Sequence, residues 1–183
     1  EDILANLGTI NTSGWDFSAH WLLPETGWGQ LGLDWKATWV TRYELVNESG
    51  QAEPKRPGVE VNDSSIPEWT SNLTANWDYR NWNASWSLRY VDRLRESCAG
   101  ANGFPICTDS AADLHWLGAT TLHDAQVSWR TDAWMKGLKI TVGVNNVFDK
   151  NPPICLSCTL NGYDPGTYDL PGRYSYARLS LDF

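Results

Sequence analysis

Cys155-Leu156-Ser157-Cys158 sets two thiols at the spacing found in redox sites and zinc sites. A redox thiolate needs stabilising, usually at a helix N-terminus, and nothing near this stretch reads as a helix. Zinc asks for a second pair of ligands, which Cys98 and Cys107 would supply if their loops met. The favoured reading is a staple. Each close pair falls inside one predicted loop, so local disulfides Cys98–Cys107 and Cys155–Cys158 are expected, in an oxidising compartment. His20, His115 and His123 lie on different segments without metal-ligand spacing and are expected to be ordinary surface or wall residues. There is no Gly-x-Ser-x-Gly, no phosphate loop and no His-Glu-x-x-His, and no carboxylate pair stands out by spacing. The sequence therefore points to no catalytic site, no metal and no cofactor, and to a protein that is not an enzyme.

The elements that must position these residues are strands. Trp15, Phe17, Ala19, Trp21 and Leu23 alternate with Asp16, Ser18 and His20, the period-two pattern of a sheet with one apolar and one polar face. The same alternation recurs from about Trp28 to Glu44, at Leu73–Tyr79, at Trp82–Tyr90, at His123–Trp129, at Leu138–Val144 and at Ala177–Phe183. About seven strands are thus expected. Short turns near Pro24, Asn81 and Ala133 alternate with long loops near Gly50, Gly100 and Gly162. The stretches from Val46 to Ser65 and from Arg95 to Thr120 read as loops, as do residues 1–9. No apolar run reaches the roughly 20 residues of a spanning helix, and mean hydropathy is −0.43. A net charge of −8 with a pI of about 4.7 speaks against nucleic acid as a partner, since phosphate binding requires a basic patch. With 183 residues the chain suits one domain. Its 12 tryptophans are many for a soluble domain of that size, and Trp favours places where an apolar ring meets a wet edge.

The end of the chain carries a more specific pattern. Asn145-Asn146-Val147-Phe148-Asp149 is followed by Pro152-Pro153, by Tyr163-Asp164-Pro165, by Gly172-Arg173 and by a strand ending on Phe183. In this order, at a chain end, these residues closely resemble the end of the TonB-dependent outer-membrane receptors of Gram-negative bacteria. The resemblance runs back, more weakly, to about Asn6 through Thr12-Ser13-Gly14-Trp15-Asp16. It implies an all-β fold: residues 1–183 would be the C-terminal segment of an antiparallel transmembrane barrel of about 22 strands with a plugged lumen. The plug domain and TonB box would lie elsewhere. It also implies active uptake of a scarce ligand (a siderophore-iron complex, a carbohydrate or a similar nutrient) across the outer membrane. The implied partners are the rest of the barrel and the plug, the TonB complex acting through that plug, outer-membrane lipid and a small-molecule ligand. Phe183 matches the family's aromatic assembly signal.

Under that reading the two faces divide the work. Asp34, Lys36, Arg89, Arg130, Lys139 and Arg178 are expected on the lumen wall. Trp21, Trp28, Trp77, Trp82, Trp129 and Trp134 gather beside the short turns and are expected to form one interfacial girdle. Short turns belong to the periplasmic side of such barrels and long loops to the outside, so Arg93, Arg95, Trp116, Tyr163, Asp164, Tyr168 and Asp169 are the candidate ligand contacts at the outer mouth. An odd number of strands with open edges leaves unpaired backbone groups, each costing several kcal/mol in lipid, so more polypeptide is expected beside both edges. Two other readings compete: a small stand-alone outer-membrane barrel in which residues 1–9 help form an eighth strand, and a soluble Trp-rich β-sandwich that binds carbohydrate.

Overall fold

The computed structural model describes residues 8–47, 49–51, 57–60, 65–96, 116–156, 158–159, 161–169 and 172–181. Every regular element among them is a strand: β1 (Gly8–Leu22), β2 (Gln30–Asn47), β3 (Val59–Glu60), β4 (Trp69–Tyr79), β5 (Trp82–Val91), β6 (Leu94–Glu96), β7 (Trp116–Leu117), β8 (Thr120–Thr131), β9 (Leu138–Asn145) and β10 (Tyr174–Leu181). The seven long strands form one sheet in the order β1-β2-β4-β5-β8-β9-β10. Each pairs antiparallel with its neighbour. β1 and β10 are its two edges.

The register follows from the alternation. One ladder row reads Leu31, Trp77, Ala84, Val127, Val142, Ala177; the next reads Gln30, Asp78, Asn83, Ser128, Thr141, Arg178. Side chains on a strand alternate between faces, so slipping any strand by one residue would move a whole apolar set onto the polar side. Among the described residues the sheet has a single layer. Its apolar face stays uncovered, with Trp15 64%, Trp21 63% and Leu179 73% exposed. A two-layer sandwich, the soluble alternative, would bury these side chains, and the structure does not. At Ser13/Gly14 the β1–β2 register shifts, and Thr41 of the bulge is held by a hydrogen bond from its hydroxyl to the Ser13 carbonyl, 3.1 Å.

Two expectations from the sequence differ in detail. β2 runs on to Asn47, past the expected end near Glu44, because β1 keeps pairing with it back to Gly8. The long loops also contain structure of their own. β6 pairs parallel with β3 and antiparallel with β7, giving a small second sheet at the long-loop end.

The turn between β1 and β2 closes through Gly29. Its φ is 113° and a Cβ there would lie 2.3 Å from the Asp78 carbonyl oxygen, so both backbone conformation and space exclude other residues. Gly29→Ala is expected to lower stability by about 2 kcal/mol. Urea titration of the folded protein, followed by Trp fluorescence, measures this; an unchanged midpoint would show that the turn rearranges freely.

Candidate functional site

The polar face divides into a long-loop end and a short-turn end. At the long-loop end Arg89 of β5 is the hub. Its Nε donates to Asp124 Oδ2 at 3.1 Å, and its Nη1 donates to Asp169, which belongs to the loop between β9 and β10. The second oxygen of Asp124 accepts the backbone N–H of Asn146 at 2.8 Å. Asn146 in turn donates its amide to the Lys150 carbonyl at 2.9 Å and accepts the Lys150 N–H at 2.8 Å. Asp149 accepts the N–H of Arg173 at 2.7 Å, tying the two ends of the loop together. Asn146 and Asp149 have φ of 51° and 53°, a region that Asn and Asp tolerate better than most residues. The Asn-Asn-Val-Phe-Asp run is therefore a clasp at the base of this loop. A cavity of about 410 Å³ lies against it, lined by Arg89, Leu122, Asn145, Asn146, Asp169, Gly172 and Tyr174.

The remaining polar-face candidates take their places by register. Asp34 on β2 is hydrogen-bonded by His20 Nδ1 at 2.7 Å and by the Asn76 amide at 3.3 Å. Lys36 pairs with Ser18 and Asn72 in the ladder and is exposed. At the short-turn end Arg130 and Lys139 sit directly opposite one another. With Asp78, Arg80, Asn83 and Ser128 they line a second cavity of about 390 Å³. Arg178 pairs with Thr141 one row further in.

The six candidate girdle tryptophans fall at the short-turn end. Trp82 stacks on Trp129 at 5.9 Å, and Trp134 meets Trp129 edge-on at 6.1 Å. Trp77 donates its indole N–H to the Trp28 carbonyl at 2.9 Å, and Trp21 is on β1, one residue from its end. Sequence reasoning missed aromatic clusters farther along the same face. Phe17 contacts Trp35 and Trp69 at 6.3 and 5.9 Å. Trp86, His123 and Phe148 form a trio, with the Trp86 indole N–H on His123 Nδ1 at 3.1 Å. The signal was present in Trp35, Trp69 and Trp86 at apolar-face positions.

The loops pack around their own small core of Leu94, Leu117, Cys155 and Tyr168. Cys155 and Cys158 are joined by a disulfide, with Cα atoms 5.4 Å apart. A carboxylate oxygen of Glu60 lies within 4.8 Å of both sulfurs, but bonded sulfurs offer no thiolate to a metal. Cys98, Cys107, His115 and Phe183 lie outside the described residues.

Of the seven candidate ligand contacts, the structure brings Asp169 to the polar-face cavity beside Arg89 and places Arg93 over the Trp116 ring, 4.5 Å from its centroid. Arg95 is exposed on β6, and Tyr163 is half-buried. Asp164 and Tyr168 are turned inward, at 0% and 5% exposure. The Asp164 carboxylate accepts the N–H of Ser65, Gly166 and Thr167 at 3.2, 2.8 and 3.2 Å, and the Ser65 hydroxyl as well. Burial pushes the Tyr168 phenol up, and the charge of Asp164 adds to the shift.

Comparison with known proteins agrees with this geometry. The sequence signature of the TonB dependent receptor-like β-barrel family matches residues 2–147. No curated protein matches the chain. Among solved structures, a point mutant of the ferric enterobactin receptor of Pseudomonas aeruginosa superposes with a TM-score of 0.54 at 16% identity, over 94% of this chain and 22% of that one. The closed form of the ferric-catecholate import receptor of E. coli K12 gives 0.50 at 16% identity, over 94% and 20%. At such identity the likeness concerns the fold, and the chain spans about a fifth of the length of either receptor.

Proposed function

The chain belongs to the TonB-dependent receptor-like β-barrel family, and from that premise we propose that it is a section of the wall of an outer-membrane receptor that actively takes up a scarce ligand. The observation that carries this reading is the seven-strand sheet with one uncovered apolar face, one polar face and two open edges. A greasy face of exposed Trp, Leu and Val suits acyl chains, and a face of hydrogen-bonded Asp, Asn, Arg and Ser suits a watery lumen. The edges of β1 and β10 then pair with the rest of the barrel, and a plug fills the lumen and answers to TonB.

On this reading the short-turn end is periplasmic and its tryptophans form an interfacial girdle. Asp34, Lys36, Arg89, Arg130, Lys139 and Arg178 line the lumen, and Phe183 serves assembly. The two similar structures are a ferric enterobactin receptor and a ferric-catecholate import receptor, so a ferric siderophore is the first ligand class to test. Uptake of radiolabelled ferric catecholate under iron limitation is expected to fall to background when this gene, or TonB, is deleted. Uptake of both iron chelates and carbohydrates that is untouched by the deletion would sink the transport reading.

A further inference from the structure

Arg89 has two carboxylate partners of unequal standing. Asp124 is the fixed one: its side chain is 22% exposed, it belongs to the neighbouring strand, and its other oxygen is held by the Asn146 N–H. Asp169 is 58% exposed and rides on the loop, 80 residues away in sequence. An ion pair with an exposed partner is weakly held and exchanges readily with solvent. Arg89 and Asp169 are themselves part of the lining of the cavity of about 410 Å³, together with Leu122, Asn145, Asn146, Gly172 and Tyr174. A guanidinium reads two oxygens of a carboxylate-like group through its planar fork. The apolar side of Leu122 and the ring of Tyr174 offer contact area to the body that carries them.

We propose that Arg89 is a recognition point for an anionic oxygen group on the incoming ligand, and that the Asp169 carboxylate occupies that position when the site is empty of ligand. This deepens the uptake reading and rests on it. Entry of the ligand's anionic group displaces Asp169 into water, at little cost because that side chain is already mostly solvated. Asp124 stays and keeps Arg89 aimed into the cavity. The loop between β9 and β10 thereby loses one of its ties to the wall as the ligand is engaged. The cavity has the size of a small-ligand site and takes one arm of a larger molecule.

The test uses the intact receptor in detergent and two probes of equal shape, benzoate and neutral benzamide, titrated by ligand-observed NMR. The native protein is expected to prefer benzoate about 10-fold, the usual weight of a charge-assisted hydrogen-bond pair. Asp169→Asn removes the internal competitor and is expected to tighten benzoate about 3-fold while leaving benzamide unchanged. Arg89→Gln is expected to abolish the preference, and Arg89→Lys, which keeps the charge without the fork, to retain part of it. A preference that survives Arg89→Gln in folded protein, or no change on Asp169→Asn, overturns the inference. Either result with ferric-siderophore uptake intact leaves the transport reading standing. Charge preference as expected in a receptor that transports nothing would instead remove the transport reading alone.

Discussion

Val142→Arg is expected to destabilise the folded protein by about 2–4 kcal/mol. Val142 sits in the apolar ladder row between Val127 and Ala177, near the middle of β9, and is 53% exposed. In water that exposure would make an arginine harmless, since surface substitutions away from special features usually stay within about 0.5 kcal/mol. In a bilayer the same exposure is what makes it costly, because the guanidinium must be dragged to the midplane or snorkel out along a strand. Ser85 provides the control. It lies on the opposite face of β5, beside a polar cavity of about 190 Å³ that Asp124 and Gln126 also line. Ser85→Arg is expected to cost less than about 0.5 kcal/mol. Folding yield into lipid vesicles, read by the heat-dependent shift of the folded band on a gel, separates the two. Equal yields for both variants would mean that the apolar face does not touch lipid.

The strands were legible because the alternation of apolar and polar residues coincides with the two faces of the sheet. Trp82, Ala84, Trp86, Leu88 and Tyr90 face one way in the sequence and in the ladder alike, and a period of two leaves one register that keeps every apolar residue together. The small sheet of β3, β6 and β7 was not legible. Strands of two or three residues show no period, and they pair across stretches of chain that local pattern cannot connect. The loop core has the same origin: Leu94, Leu117, Cys155 and Tyr168 come from two different long loops. The Cys155–Cys158 staple was readable because its two ends are three residues apart, so local spacing sufficed. Arg89 was recognisable as a polar-face residue from its place in the alternation. Its partner Asp169 was recognisable only as a polar loop residue, since nothing in a sequence reports a contact between a strand and a loop so far apart. Aromatic and acidic loop residues likewise suggest ligand contacts by type alone, which is why Asp164 and Tyr168 looked like candidates for the mouth.

Asp164 is instead the residue whose loss is expected to do most harm to the loops. Asp164→Ala should lower the free energy of opening the loop unit by about 3–5 kcal/mol, at the upper end of single substitutions. The reason is the accounting of buried donors. One carboxylate, 0% exposed, satisfies three backbone N–H groups and a hydroxyl. Two of those donors, Gly166 and Thr167, close its own turn after Pro165; Ser65 belongs to the loop between β2 and β4, 99 residues earlier. Hydrogen bonds to a charged acceptor contribute about 1.5–3 kcal/mol each, and a buried donor left without a partner costs about 1–3 kcal/mol. Alanine removes the acceptor and keeps the donors buried. Asp164→Asn keeps one acceptor oxygen and the shape, so it should lose roughly half as much. The long strands do not depend on these bonds, so hydrogen exchange should speed up in residues 65–68 and 161–169 while the β4–β5 and β8–β9 ladders keep their protection. Exchange that rises in the ladders to the same degree would mean the loops and the wall unfold as one unit. Unchanged exchange in both loops would mean that water replaces the carboxylate without loss.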